Sequence, residues 1–261
     1  MDLHFNCTQC GQCCRNIKIP LTASEAVAWL TDGNQVQLIS EASPWPEDIS
    51  GADPKAAHLK RRSFMAMSGC LPTRVVAMLV ANITGECPHL LADRRCGIYG
   101  RRPLVCRIYP VEINPFMRLE PGKKACPAEA WAPDLPTLLS RGRVVSQEIR
   151  DDLRQWRHSD SADVDIKRAV YAALNIVDSA VAQEGFLVYS PDAGVLLRAL
   201  SAAIEGGRDA SSSLQCRFVS DRSDTLDNLS QCGAIASHSR DVAAMPYQYI
   251  GLKRQAPVTV G

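Results

Sequence analysis

The chain is poor in the signals that would sort it into an easy class. It opens Met1-Asp-Leu-His-Phe-Asn-Cys7, with neither a basic stretch nor the apolar segment that a secretory leader carries. No apolar run reaches the roughly 18 residues a membrane span needs. A cytoplasmic location and no membrane partner are therefore expected. Net charge is only +1, which gives no ground for a nucleic-acid binder. There is no G-x-S-x-G and no H-E-x-x-H, so hydrolase chemistry has no support. Fixed-period repeats and low-complexity tracts are also missing. Charged residues make up 22% and hydrophobic ones 46%, enough apolar material to bury a core without help from a metal.

What the chain has is cysteine, 11 in all. Cys7, Cys10, Cys13 and Cys14 form a C-x2-C-x2-C-C run, and Cys87, Cys96, Cys106 and Cys126 form a second, looser set. In a reducing compartment thiols stay reduced, and clustered cysteines there favour metal or redox chemistry over disulfides. A C-x2-C turn brings two sulfurs toward one centre, as in zinc ribbons and iron–sulfur proteins. The Cys7, Cys10, Cys13 triplet matches three corners of a ferredoxin-type four-iron cluster, with the fourth ligand supplied from far along the chain. Soft thiolates select zinc, copper(I) or iron–sulfur clusters. The triplet favours an iron–sulfur cluster, with zinc as the alternative. Successive side chains diverge, so Cys13 and Cys14 more easily serve two neighbouring centres than one small ion. Eight cysteines would suit two four-thiolate sites, and bridging sulfurs are a further option that spacing does not decide.

Between Glu86 and Cys126 eight basic residues face four acids, a local balance of +4. Compensation of metal-bound thiolate charge explains this better than a DNA patch. For Arg107, next to Cys106, a place facing the metal and a solvated surface role weigh about evenly. Cys70 reads as a buried free thiol, and Cys216 and Cys232 as spare thiols. His4 and His89 lie near cysteines and read as packed or surface histidines, with completion of a mixed metal site as the lesser alternative. Tyr99 and Tyr109 read as core, with phenol hydrogen bonds near the metal as the other option.

Thr22-Ala-Ser-Glu25 reads as a capping box opening a helix with Val27 and Leu30 that ends near Gly33. Residues 41–56 read as a loop, Thr73 to Ala81 as an apolar helix or strand, and Cys106 to Ile113 as a short strand interrupted by Pro110. Leu138, Val145, Ile149, Leu153 and Trp156 fit one face of a helix of about six turns. Ile166, Val170, Ala173, Leu174, Val177 and Val181 fit a second, ending near Gly185. Phe186 to Tyr189 reads as extended. Ser190-Pro191 reads as the start of a third helix closed by Gly206-Gly207. The expected fold is mainly α: a cysteine-rich, loop-rich metal-binding half at 1–130 packed against a helical scaffold at 131–207, with an irregular tail at 208–261.

The segment Phe5-Asn-Cys7-Thr-Gln-Cys10-Gly11-Gln-Cys13-Cys14-Arg15 resembles the N-terminal signature of the YkgJ-type cysteine-cluster (CxxCxxCC) family. Cys87-Pro-His-Leu-Leu and Cys96-Gly-Ile-Tyr99-Gly-Arg-Arg102-Pro103-Leu-Val-Cys106-Arg107-Ile-Tyr109-Pro110 resemble its second signature, with His89 where an aromatic residue is common. The resemblance covers about residues 1–130 and implies a zinc- or iron-chelating domain. One branch of the family is similar to flagellin lysine N-methylases, which implies S-adenosylmethionine as a cofactor and a protein as substrate. The chain has neither a G-x-G-x-x-G segment nor a C-x3-C-x2-C motif to carry that branch's activity over. The sequence therefore leaves two functions standing, an iron–sulfur protein with a redox or enzymatic role and a zinc-stabilised protein-interaction module. Metal handling is a third, and none of them fixes whether the chain catalyses a reaction.

Overall fold

The computed structural model describes residues 2–45, 53–206, 214–242 and 246–252. It is mixed α/β, 37% helical and 30% strand, and this overturns the expectation of a mainly α chain. The first half runs β1 (Leu3–His4), β2 (Arg15–Leu21), α1 (Ala23–Thr31), β3 (Val36–Pro44), α2 (Pro54–Arg61), β4 (Phe64–Ser68), β5 (Leu71–Glu86) and α3 (Leu104–Ile108). The second half runs β6 (Thr137–Ser140), β7 (Arg143–Val144), α4 (Gln147–Ala162), α5 (Val164–Ala173), β8 (Asp178–Val181), β9 (Gly185–Tyr189), α6 (Ala193–Glu205), β10 (Arg217–Ser220), α7 (Ser223–Gln231), β11 (Ala236–His238) and β12 (Tyr247–Gly251). The chain divides into two compact units, residues 1–26 with 80–160, and residues 27–79 with 161–261.

In the first unit the capping box forms as expected. The Thr22 amide donates to Glu25 Oε2 over 2.9 Å, and the Glu25 amide donates to Thr22 Oγ1 over 3.2 Å. The other oxygen of Glu25 accepts from the Leu104 amide over 2.7 Å, so one carboxylate serves the first turns of both α1 and α3. Leu104, Ile108, Leu153 and Trp156 are buried together, with Val105, Val111, Ile113, Val144 and Ile149 against them. This cluster fixes α3 on α4. Residues 106–113 are thus not a strand: Cys106 sits in α3, and the chain then turns through the cis Tyr109–Pro110 peptide.

The expected six-turn helix is two elements. Its apolar residues keep a helical spacing across a hairpin, in which Ser140 pairs with Arg143 and Leu139 with Val144. The two turn residues, Arg141 at φ 49° and Gly142 at φ 75°, both have the positive φ that a two-residue hairpin turn needs. Only from Gln147 onward is the segment helical.

In the second unit β8, β10 and β11 run parallel, while β3 pairs parallel with β8 at Glu41–Ala42 and antiparallel with β9 at Leu38–Ser40. Among the described residues the large sheet has nine strands. Leu38, Leu79, Leu187, Phe218 and Val219 on its strands, and Val170, Leu196 and Leu200 on α5 and α6, are almost wholly buried. Two helix expectations change here. α5 stops at Ala173, and Asn175 at φ 52° turns the chain into β8, so Val177 and Val181 lie outside the helix. α6 is capped by Asp192, whose side chain accepts from the Val195 amide, rather than by Ser190. The expected irregular tail carries β10, α7, β11 and β12 among its described residues. The loop expected at 41–56 is strand up to Pro44 and helix from Pro54, while Pro46 and Gly51 lie outside the described residues, as does Gly207. Thr73–Ala81 is the middle of β5, and Phe186–Tyr189 is extended as expected. Among the described residues no helix is long and apolar enough to cross a membrane.

Candidate metal centre

All eight cysteines of the two sequence sets lie in the first unit, and all are free thiols. The first loop ends in a 3-10 turn over Gln12–Cys14, entered through Gly11 at φ 71°, with the Cys14 amide donating to the Gly11 carbonyl over 3.0 Å. A Cβ on Gly11 would stand 2.8 Å from the Arg94 carbonyl oxygen and 2.9 Å from Leu90 Cδ1. The first loop is therefore pressed against the 87–97 loop, and only glycine fits both the contact and the backbone angle.

Two pins hold the ends of that loop. At its far end, the Cys87 amide donates to the Cys14 carbonyl over 2.8 Å. Behind it, Gly85 donates to Asn16 Oδ1 (2.8 Å) and Lys18 to Asn82 Oδ1 (2.7 Å). At its near end, the Asn6 amide donates to the Ala130 carbonyl and the Phe5 amide to Pro136, both at 3.0 Å, while the Phe5 and Trp131 rings lie 4.8 Å apart. So Cys14 is anchored beside Cys87, and Cys7 beside the segment that follows Cys126.

The second set is organised by short-range bonds. The Leu90 amide donates to the Cys87 carbonyl (2.9 Å), Gly97 to His89 (2.8 Å), and Leu90 forms a bridge with Cys96. The His89 amide donates to the Cys87 sulfur. Arg102 stacks over Tyr99 with its guanidinium carbon 3.8 Å from the ring centroid, and reaches the Cys106 carbonyl at 3.4 Å. The Ala125 amide donates to the Tyr109 hydroxyl over 2.9 Å, and that hydroxyl donates to the Cys126 sulfur. Lys124 lies 5.4 Å over the Tyr109 ring and pairs with Glu112 at 2.6 Å, both side chains largely buried.

The thiols interact strongly. A hydrogen bond from Cys14 holds the Cys13 thiol below its ordinary value, against burial and the charges of Cys106, Cys126 and Cys7. That same bond, together with burial, drives Cys14 far upward, with Arg102 opposing. Burial pushes Cys106 up to about 12, and the Cys14, Cys87 and Cys96 thiolates add to it while Arg102 opposes. Burial also raises Cys87 and Cys126. A bound cation would reverse all of these penalties, because metal binding drives thiols to thiolates.

Among the described residues no group of three or more His, Cys, Asp or Glu side chains is arranged as a ready metal cage. The fit to a metal thus rests on the donor set, eight free thiols carried by the first loop, the 87–97 loop, α3 and the segment around Cys126. His4 Nδ1 is hydrogen-bonded to the Leu135 carbonyl at 2.8 Å. Cys70, Cys216 and Cys232 belong to the second unit; Cys216 is buried, while Cys70 is exposed, not buried as expected. The residue that sequence reasoning missed is Arg102. The spacing pointed to Arg107, but its guanidinium is taken by Asp152, and Arg102 is the cation whose field reaches Cys14 and Cys106.

The family model described as "CxxCxxCC: Putative zinc- or iron-chelating domain" matches residues 6–127, so this stretch of the chain is similar to that domain family and metal binding is supported. No curated protein and no solved structure matches the chain.

Proposed function

We propose that this zinc- or iron-chelating domain holds an iron–sulfur cluster through its cysteine thiolates, and that the chain serves a redox or enzymatic role in a reducing, cytoplasmic setting. The observation that supports this most is the presence in one compact unit of eight free thiols from both sequence sets, with Cys14 pinned to Cys87. Metal binding itself follows from the domain family and the soft donor set. The preference for iron–sulfur rests on the Cys7, Cys10, Cys13 triplet and on hydrogen bonds to sulfur. The His89 amide bonds Cys87 and the Tyr109 hydroxyl bonds Cys126, and such bonds tune cluster potentials. In this reading the protein's own part is to supply thiolates, set their basicity through these donors and through Arg102, and shield the centre with the 87–97 loop.

The test is purification without oxygen, followed by iron, acid-labile sulfide and zinc per chain. Iron and sulfide in matching amounts are expected, with loss of both in Cys13→Ser and Cys106→Ser. Stoichiometric zinc without sulfide would replace the redox reading with a zinc-stabilised interaction module. Undiminished metal in both variants would remove the thiolate assignment.

A further inference from the structure

Outside the eight clustered cysteines, two of the remaining three meet. Cys70 sits in the turn between β4 and β5, and Cys232 caps the C-terminal end of α7, 162 positions further on. Both belong to the second unit, and both are free and exposed. Cysteine is mostly a buried residue type, so packing gives no reason for it at two exposed turns.

The two turns are zipped together. The Ser68 hydroxyl donates to the Ile235 carbonyl over 3.1 Å and accepts from the Ile235 amide over 3.0 Å. The Cys70 amide donates to the Gly233 carbonyl over 3.1 Å. Gly69 and Gly233, each next to one of the cysteines, both have positive φ, 59° and 79°. A Cβ on Gly69 would run into the Gly233 carbonyl oxygen, and one on Gly233 into the Cys70 sulfur. The glycines thus let the backbones close until Cys70 Sγ lies 3.8 Å from the Cys232 carbonyl oxygen and 3.6 Å from that of Gly233. Given the dimensions of the carbonyl group, that sulfur is no more than about 6 Å from the Cys232 Cα. Disulfide-bonded residues have Cα atoms about 4.4–6.8 Å apart, so the pair stands at or near bonding range.

We propose that Cys70 and Cys232 form a redox modification site, which hydrogen peroxide closes to a disulfide and thiol reductants reopen. The thiolate of one cysteine attacks a peroxide oxygen: an S–O bond forms, the O–O bond breaks, and the hydroxide released takes up a proton to become water. The second thiolate attacks the sulfur of the resulting sulfenic acid, the S–S bond forms, and the S–O bond breaks to release the second water. The two thiols give up two electrons and two protons, and the peroxide is reduced to two waters. In a reducing setting the pair rests as the dithiol. Closed, the bond fastens the β4–β5 turn to the α7–β11 turn across a long stretch of chain, which constrains the unfolded state. The site does not depend on the metal-binding reading.

The experiment treats the full chain, purified without oxygen, with limiting hydrogen peroxide, blocks the remaining thiols with N-ethylmaleimide, and maps tryptic peptides by mass. Trypsin frees residues 63–74 and 223–240, each with a single cysteine. The expected product is these two peptides joined and lighter than their sum by two hydrogens. It should form at a rate per chain that is independent of protein concentration, and dithiothreitol should return the separate peptides. Against Cys70→Ser treated alike, the oxidised wild type should melt several degrees higher. Recovery of both peptides singly, alkylated or over-oxidised, once the peroxide is consumed would overturn the proposal. So would either peptide joined to a different cysteine or to a second chain.

Discussion

Arg107 clasps Asp152 with both arms of its guanidinium, Nε to Oδ2 at 3.1 Å and a second, shorter contact to Oδ1. The carboxylate is only 4% exposed. The pair ties α3, which carries Cys106, to α4, alongside the apolar cluster around Leu104 and Trp156. Removing one partner of such a pair strands a buried charge. Because Arg107 is itself partly solvated, Arg107→Ala should cost about 2–3 kcal/mol in a denaturant melt, at the low end for broken buried pairs. Asp152→Asn, which strands no charge in the interior, should cost less.

Arg102 sits where its field favours the thiolate forms of Cys14 and Cys106. Arg102→Gln is expected to weaken metal binding about tenfold, the lower end of what outer-shell changes cost. Competition with a chelator measures it, and Arg102→Lys should recover part of the loss. Arg107→Ala, by contrast, should alter stability more than affinity.

Gly11 combines a left-handed backbone with contact to Arg94 and Leu90. Gly11→Ala should cost at least about 1–2 kcal/mol from the backbone angle alone. It should also lift the first loop off the second and lower metal content per chain. Metal analysis next to a thermal melt separates the two effects.

Gly233 gives a parallel case away from the cysteine loops. A Cβ there would lie 2.3 Å from Cys70 Sγ, on a backbone at φ 79°. Gly233→Ala should destabilise by more than the roughly 1–2 kcal/mol of the backbone angle. Adding Cys70→Ala should return the part owed to the clash, which a double-mutant cycle reads as a coupling energy.

Burial pushes the Glu41 carboxyl above its ordinary value of 4.5, with Arg62 only partly opposing. A carboxyl raised on folding holds its proton in the native state at pH values where the unfolded chain has released it. Stability from this group is therefore full below about 4.5 and lost as pH rises through the native value. Glu41→Gln should raise the melting temperature at neutral pH and flatten the pH profile over that window.

The cysteine pattern was easier to read than the fold, because its residue type and spacing stand out in the chain. The Thr22–Glu25 box was legible because capping is local. The mainly α expectation failed where apolar spacing is ambiguous. Leu138 and Val145 keep helical intervals to Leu153 while the chain folds back at Arg141-Gly142. That dipeptide was the available signal, weakened because arginine is an unusual partner in a turn with two positive φ values. β8, β10 and β11 are three or four residues long, too short for any period to show, and become strands by pairing with distant partners. Arg102 was hidden because adjacency in sequence favoured Arg107, whereas Asp152 lies far along the chain.

The first unit is made of two stretches, 1–26 and 80–160, interrupted by a long excursion into the second. During synthesis Cys7 to Cys14 leave the ribosome well before Cys87, a delay of roughly 4–15 s at ordinary elongation rates. Through that interval the four thiols of the first set travel on a nascent chain without those of the second. If the proposed centre draws on both sets, its loading waits for a late stage of maturation, and oxidants present in that interval would meet the first thiols unprotected.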